Sequence, residues 1–319
     1  MAQELIIETE SAFDTQVPLY PLSLAEFEGQ INVKKQIGLA LQSASAKNIP
    51  LDHVIAIGPP GLGKSAITRI ITAGTPSAVL YCGTVRASKE LALGILQARM
   101  EGATRIVLEE IHSLSSHAME SLHMLLDENK LQIRESGHLQ TFSVGGCTIV
   151  ATTTNPAKLS VPLMQRFGIP LLFTHYNQED LGRIISRSAN LLDTEISPDA
   201  ALTIGRVSRG LPRIANRLLR RVRDYTDELT PQSVREALMF WGVDELGLTD
   251  VDREYLRALA EFGSNPVGAS TLSTILGTNQ KTLVEFYEPF LIRDKLIMIT
   301  PKGRVLTQKG IQAANYKGS

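Results

Sequence analysis

The string Gly58-Pro59-Pro60-Gly61-Leu62-Gly63-Lys64-Ser65 constrains this chain more than any other feature. It follows directly on His53-Val54-Ile55-Ala56-Ile57, an apolar run of strand length, and leads at Ala66 into a helical pattern. An apolar run without polar alternation is how a strand covered on both faces of a parallel sheet reads. Glycines at both ends of a loop between such a strand and a helix let successive backbone N–H groups point at phosphate oxygens, at the positive end of the helix dipole. In that arrangement Lys64 reaches the β and γ phosphates and the Ser65 hydroxyl ligates Mg2+.

Further apolar runs at 78–81, 105–108, 148–151 and 171–173 are separated by segments long enough for helices. Strands alternating with helices predict βαβ crossovers and a doubly wound α/β layer. The stretch 130–148 alternates around Ser136-Gly137-His138 and reads as a β-hairpin inserted ahead of a core strand. After Phe173 the strand signal stops, and helical periods at 179–192, 199–208, 213–229 and 230–241 predict a small all-helical domain. A third unit has helices at 250–262, 270–276 and 280–290, then strands 297–299 and 304–306 around Thr300-Pro301-Lys302-Gly303, a winged-helix pattern. The expected division is an N-terminal arm over 1–22, a large α/β P-loop domain over 23–175, a helical domain over 176–246 and a winged helix over 247–319.

Within the α/β layer, Ile106-Val107-Leu108-Glu109-Glu110 ends a buried strand in two carboxylates, which an adjacent parallel strand would deliver beside the loop. The functional reading gives Glu109 to the water shell of Mg2+ and Glu110 to polarising an attacking water; the plain one is a solvated strand end. Thr152-Thr153-Thr154-Asn155 follows the next apolar run, and Thr153 is the candidate to hold that water or touch the γ phosphate. The same residues also suit a polar strand-to-loop turn. Arg166 in Met164-Gln165-Arg166-Phe167-Gly168 and Arg213 at the head of a helix after Gly210-Leu211-Pro212 could bring guanidinium charge to phosphoryl transfer, in cis or from a neighbouring subunit. A surface ion pair is the alternative for each. His112 follows the acidic strand end, where it could sense the site or simply pack.

Charge excludes some classes of function. Lys plus Arg number 32 against 33 Asp plus Glu, so the net charge of −1 gives no global field to attract a polyanion, and any DNA contact must be local. Lys302 and Arg304 flank Gly303 on the expected wing and suit phosphate contact without sequence readout. Arg209, Arg213, Arg217, Arg220, Arg221 and Arg223 are the densest basic stretch, with a nucleotide, a neighbouring subunit or solvent as the expected neighbour. Two cysteines, Cys82 and Cys147, suit a reducing, cytoplasmic compartment. No stretch approaches the ~20 apolar residues of a membrane span, and the six histidines lack metal-ligand spacing.

Together these motifs resemble the RuvB-like AAA+ ATPases, which drive branch migration of Holliday junctions. The resemblance runs from about Leu22 to Ala314 and is strongest at Leu51-Asp52-His53-Val54, the P-loop, Arg166-Phe167-Gly168-Ile169, Pro212-Arg213-Ile214-Ala215-Asn216-Arg217-Leu218, Tyr287-Glu288-Pro289 and Thr300-Pro301-Lys302-Gly303-Arg304. It implies a RecA-like AAA+ domain, a helical lid and a winged helix, assembled as a hexamer around duplex or four-way junction DNA, with ATP and Mg2+ at subunit interfaces. By the same resemblance Lys64 and Ser65 are the Walker A pair, Glu109 and Glu110 the Walker B pair, Thr153 sensor 1, Arg166 the arginine finger, Arg213 sensor 2, and Arg304 and its wing neighbours lie near DNA. The hairpin would meet a RuvA-like junction-binding protein. Three residue patterns depart from the family: Glu109 replaces the usual Asp, the hairpin 130–144 is shorter and more polar, and Tyr20-Pro21 replaces Arg-Pro near the adenine pocket. Glu109 and the altered hairpin favour a second reading, a loader or nucleotide switch without sustained translocation. The winged helix and Arg166-Phe167-Gly168 favour the motor.

Overall fold

The computed structural model describes residues 18–135 and 138–315. Most of the expected N-terminal arm and the turn at Ser136-Gly137 lie outside the described residues. The chain forms two compact units. One runs up to Tyr176 and includes Leu211–Arg213; the other comprises Asn177–Gly210 and the residues from Ile214 onward.

The first unit begins with α1 (Ile31–Lys47), β1 (Val54–Ile57), α2 (Lys64–Thr72), β2 (Ser77–Tyr81), α3 (Ser88–Met100), β3 (Arg105–Glu109) and α4 (Ser116–Glu128). It continues with β4 (Lys130–Glu135), β5 (His138–Ser143), β6 (Thr148–Thr153), α5 (Val161–Gln165) and β7 (Ile169–Leu172). The sheet is parallel in the order β2-β3-β6-β1-β7, so the P-loop strand β1 lies between β6 and β7. This corrects the expectation that the acidic strand is the neighbour of β1. β6 separates the two, and the acids approach the loop across the end of β6. Every residue of β1 and β6 is buried, as a strand covered on both faces requires. On one side Leu91 and Ile95 of α3 and Leu122 and Leu125 of α4 pack against Ile55, Ile106, Leu108 and Ile149. The strands β4 and β5 form a separate antiparallel hairpin in register from Lys130–Ser143 to Glu135–His138.

β6 also runs further than its apolar residues suggest, through Thr152 and Thr153. β-branched side chains suit a strand, and the Thr152 hydroxyl is satisfied there by accepting the backbone N–H of Glu110 (3.1 Å). Of the four residues that also suited a polar turn, Thr152 and Thr153 are therefore the last buried part of the sheet, and Thr154 and Asn155 lie beyond it.

The second unit holds α6 (Gln178–Leu191), α7 (Pro198–Val207), α8 (Pro212–Tyr225, which begins in the first unit), α9 (Pro231–Phe240), α10 (Asp250–Glu261) and α11 (Ala269–Ile275). Side-chain caps set the starts: Asn177, Ser197 and Thr230 each accept a backbone N–H from the first turn, and Thr249 with Asp252 forms a capping box. The expected single helix over 280–290 is instead α12 (Gln280–Thr282), a π turn (Leu283–Tyr287) and α13 (Glu288–Arg293). Pro289, which has no N–H to donate, sits where the helix restarts. A two-stranded wing, β8 (Ile297–Thr300) and β9 (Gly303–Leu306), precedes α14 (Gln308–Asn315), a helix that the sequence pattern did not predict.

Buried ion pairs hold this unit together. Arg304 donates from Nε to Glu288 Oε1 (2.8 Å) and from Nη2 to Oε2 (3.0 Å), and the Tyr255 hydroxyl adds a third bond to Oε1 (3.1 Å). Glu288 is fully buried. Arg209, with a left-handed backbone, donates to Gly247 O (3.0 Å) and to buried Asp252, and its guanidinium lies 4.1 Å from the centre of the Phe290 ring. Removing one partner of such a pair strands a buried charge, so Arg304→Met should destabilise this unit by about 3 kcal/mol in urea denaturation, and adding Glu288→Leu should recover most of the loss. An unchanged unfolding midpoint in Arg304→Met would overturn that assignment.

Candidate nucleotide site

At the carboxyl ends of β1, β6 and β3 the sheet leaves an edge where loops converge, the usual ligand side of a parallel layer. The P-loop is fixed there by its surroundings. Gly58 N–H donates to Thr153 O (3.2 Å), Phe173 N–H to Ile57 O (2.8 Å), and Arg213 N–H to Gly61 O (3.4 Å). A Cβ on Gly58 would lie 2.8 Å from Phe173 O, so only glycine fits between these strands. Gly61 and Gly63 hold φ of 81° and 96°, and Gly63 forms the N-cap of α2. Phe27 and the Tyr176 hydroxyl lie against Gly63, and that hydroxyl donates to Leu62 O (3.3 Å).

Lys64 is buried, and its ammonium donates to Gly58 O (2.8 Å) and Pro59 O (2.9 Å). Burial pulls its pKa below the usual lysine value, while Glu110 and Glu109 push it back up. Ser65 is exposed at the first turn of α2, as are Pro59 and Pro60 before it, whereas Leu62 is buried beneath the loop and Ala66 half-buried.

Glu109 ends β3 half-exposed. Glu110 follows in a left-handed backbone conformation, φ 54°, which is strained for a residue with a side chain and costs on the order of 1 kcal/mol. Its N–H bond to Thr152 fixes that turn. Its Oε2 accepts from the Thr154 hydroxyl (2.7 Å) and the Thr154 N–H (3.3 Å), and His112 Nδ1 lies 3.1 Å away. The same Nδ1 is 3.2 Å from the hydroxyl of fully buried Thr153, which also accepts Asn155 N–H (3.2 Å). Thus the structure brings Lys64, Glu109, Glu110 and Thr153 to one sheet edge. Sequence reasoning singled out Thr153 and missed Thr152 and Thr154. The strand period of two was the available signal, because it puts those two on the same side.

Arg213 lies against the loop as well: its Cβ is 3.3 Å from where a Cβ on Gly61 would stand. Arg166 is elsewhere on the surface, capping the short helix α5, with its Nε on Asp127 Oδ2 (2.7 Å) and Nη1 on Pro162 O (2.7 Å). Buried Phe167 anchors it from behind, and a Cβ on Gly168 would collide with the Asp52 carboxylate. Tyr20 stacks under the Arg69 guanidinium, 4.9 Å from the ring centre. Of the two wing cations expected to meet phosphate, Lys302 is exposed at the turn. Arg304 is half-buried, with its Nε and Nη2 held by Glu288, which shapes the wing from behind. No helix among the described residues is long and apolar enough to cross a membrane.

Known proteins match nearly the full length of the chain. Family models match in succession: the Holliday junction DNA helicase RuvB P-loop domain at residues 19–173, the RuvB AAA lid domain at 176–245 and the RuvB C-terminal winged helix domain at 245–315. The chain is 36% identical over 317 residues to the Holliday junction branch migration complex subunit RuvB of Treponema denticola, covering 96% of this chain and 92% of that one. It is 39% identical over 304 residues to the subunit of the same name from Streptomyces coelicolor, covering 92% and 85%. Among solved structures, the Thermotoga maritima RuvB Holliday junction branch migration motor superposes with a TM-score of 0.79 at 35% identity, over 94% of this chain and 99% of that one. A P-loop domain, lid and winged helix matched in order, with relatives of this identity over nearly the full length, show that the chain belongs to the RuvB family of P-loop ATPases.

Proposed function

We propose that this protein is an ATP-driven DNA motor that moves four-way junctions by branch migration, working in the cytoplasm as a homo-oligomeric ring, with six subunits as in the resembled family. The observation that carries the reading is the convergence of a P-loop lysine, two strand-end acids and a buried threonine at one edge of the sheet. It occurs in a chain whose remaining segments match the RuvB lid and winged helix.

In this reading the residues Gly58 to Ala66 cradle ATP, and Lys64 exchanges two neutral carbonyl acceptors for anionic phosphate oxygens, a stronger bond for a buried cation. The Ser65 hydroxyl and Glu109 carboxylate are hard oxygen donors that fit Mg2+ held through water. Bound there, the ion would neutralise charge on the phosphates. Glu110 takes a proton from water as its oxygen bonds to the γ phosphorus and the bond to the bridging oxygen breaks, releasing ADP and phosphate. Thr153 positions that water or the γ phosphate. Arg213, already beside Gly61, adds positive charge in cis. Arg166, half-exposed at the C-terminal end of α5, completes the neighbouring subunit's site as its arginine finger, and its ion pair with Asp127 is weak enough at the surface to be exchanged. Lys302 on the wing contacts the DNA backbone. A RuvA-like protein would meet the hairpin of β4 and β5, whose outer strand is largely exposed. The loader or switch reading is favoured by Glu109, one methylene longer than the usual acid at the position proposed for Mg2+, and by the short, polar hairpin of β4 and β5.

ATP hydrolysis with and without branched DNA, run beside extrusion of a synthetic four-way junction, separates the two. The motor reading expects DNA-stimulated hydrolysis with junction movement, and loss of both in Lys64→Ala; stimulated hydrolysis without movement would establish the switch. Arg166→Ala and Glu110→Gln subunits should each be inactive alone, yet mixed equally they should regain about a quarter of the wild-type rate, because one interface in four reunites an intact base with an intact finger. A mixture as inactive as its components would exclude a shared site. For the wing, Lys302→Ala should weaken binding to all duplex sequences alike and reduce the slope of log affinity against log salt by about 1; an unchanged slope would remove Lys302 from the interface.

A further inference from the structure

We infer that His53 is a positioning residue that aims Arg166 at the neighbouring subunit's nucleotide; the inference rests on the arginine-finger reading proposed above. Leu51-Asp52-His53 leads into β1 at the amino ends of the strands, away from the P-loop, because parallel strands begin on one side of a sheet and end on the other. Arg166 stands on that same far side, just before β7.

Both nitrogens of the His53 ring are used there. Nδ1 accepts the backbone N–H of Ile149 (3.0 Å), near the start of β6, and so holds a lone pair. The proton of the neutral ring is therefore on Nε2, and the backbone carbonyl of Leu126 is the acceptor for it. That carbonyl belongs to the last turn of α4, where a helix has no further N–H of its own to offer. Burial pulls the His53 pKa below the usual histidine value, against the upward pull of Asp52, the Leu126 carbonyl and Asp127, and so favours the neutral ring that can accept and donate at once. One side chain thus ties the C-terminal end of α4 to β6.

That helix end holds the finger. Asp127 directly follows Leu126, and its Oδ2 accepts Arg166 Nε (2.7 Å), while Pro162 O accepts Nη1 (2.7 Å). The remaining nitrogen, Nη2, has no partner among the described residues, so a phosphate can be met there before the Asp127 bond is exchanged. The same three-residue stretch fixes the chain behind Arg166: His53 O accepts Ile169 N–H (3.0 Å), and the Asp52 carboxylate fills the space beside Gly168. A guanidinium held near its working orientation has less freedom to lose when two subunits close on a nucleotide. Without the ring, Leu126 and Asp127 lose their tie to β6, and Arg166 starts from many orientations.

The test uses the full chain. In His53→Ala the affinity for a fluorescent ATP analogue should hold, and kcat should fall about tenfold. His53→Gln, whose amide offers one acceptor and one donor as the neutral ring does, should recover most of the rate. Unpairing a buried N–H and a carbonyl also lowers the thermal midpoint of His53→Ala, so subunit mixing supplies a readout that lost stability cannot mimic. Mixed equally with Glu110→Gln, which keeps its finger, His53→Ala should turn over about two to three times faster than alone, because one interface in four joins an intact base to an intact finger. Mixed with Arg166→Ala it should gain nothing. Nitrogen magnetic resonance on isotope-labelled histidine should show His53 protonated at Nε2 and bare at Nδ1. A wild-type kcat in His53→Ala, recovery with Arg166→Ala instead of Glu110→Gln, or a proton on Nδ1 would each overturn the inference. Arg166→Ala mixed with Glu110→Gln is the separate control. If that pair stays inactive, the shared-site reading fails and the role of His53 with it; if it recovers while His53→Ala with Glu110→Gln does not, only the role of His53 fails.

Discussion

Parallel pairing of β1 with β6 and of β6 with β3 is the constraint from which the rest of the site follows. Parallel strands all end on the same side, so the P-loop, the threonine run and the acid pair are delivered to one edge without any loop having to reach for another. Insertion of β6 between β1 and β3 then decides the division of labour. Its last residues stand between phosphate loop and acids, where Thr153 O accepts from Gly58 and Thr152 and Thr154 hold Glu110. The strand that separates the two halves of the site is also the one that connects them.

Much of this was legible in the sequence because the signals are local. A P-loop is a contiguous string, and the apolar runs of β1, β3 and β6 announce themselves without knowledge of their neighbours. The order of the strands was not legible, because adjacency in a parallel sheet depends on crossovers that leave no mark on either strand. The same limit hid the length of β6. Thr152 and Thr153 look polar in isolation, and they are buried only because Glu110 and His112, more than forty residues earlier, come to satisfy them. The helix break at Leu283–Tyr287 was missed for a different reason: Pro289 reads as tolerable in a first turn, and only the restart of the helix shows that a first turn is what it occupies.

Cation placement in the C-terminal unit carries a similar lesson. Composition marks Arg209 and Arg304 as candidates for an anionic ligand, yet both guanidinium groups face buried carboxylates of their own unit. A fork-shaped group that can satisfy two carboxylate oxygens at once is as useful for locking helices as for binding phosphate. The compact Lys302 is exposed at the wing turn, where its backbone N–H donates to the Thr300 hydroxyl (3.3 Å) and its ammonium faces solvent as a single point charge.

The first glycine of the loop, Gly58, is fixed by the sheet as well as by the site. Its backbone is bonded to the end of β6, and the space a side chain would need is occupied by the carbonyl of Phe173. A methyl group there would prise two strands apart before it ever met a nucleotide. Gly58 is therefore demanded by the architecture of the sheet, and the chemistry of the phosphate inherits a shape that the fold had already imposed.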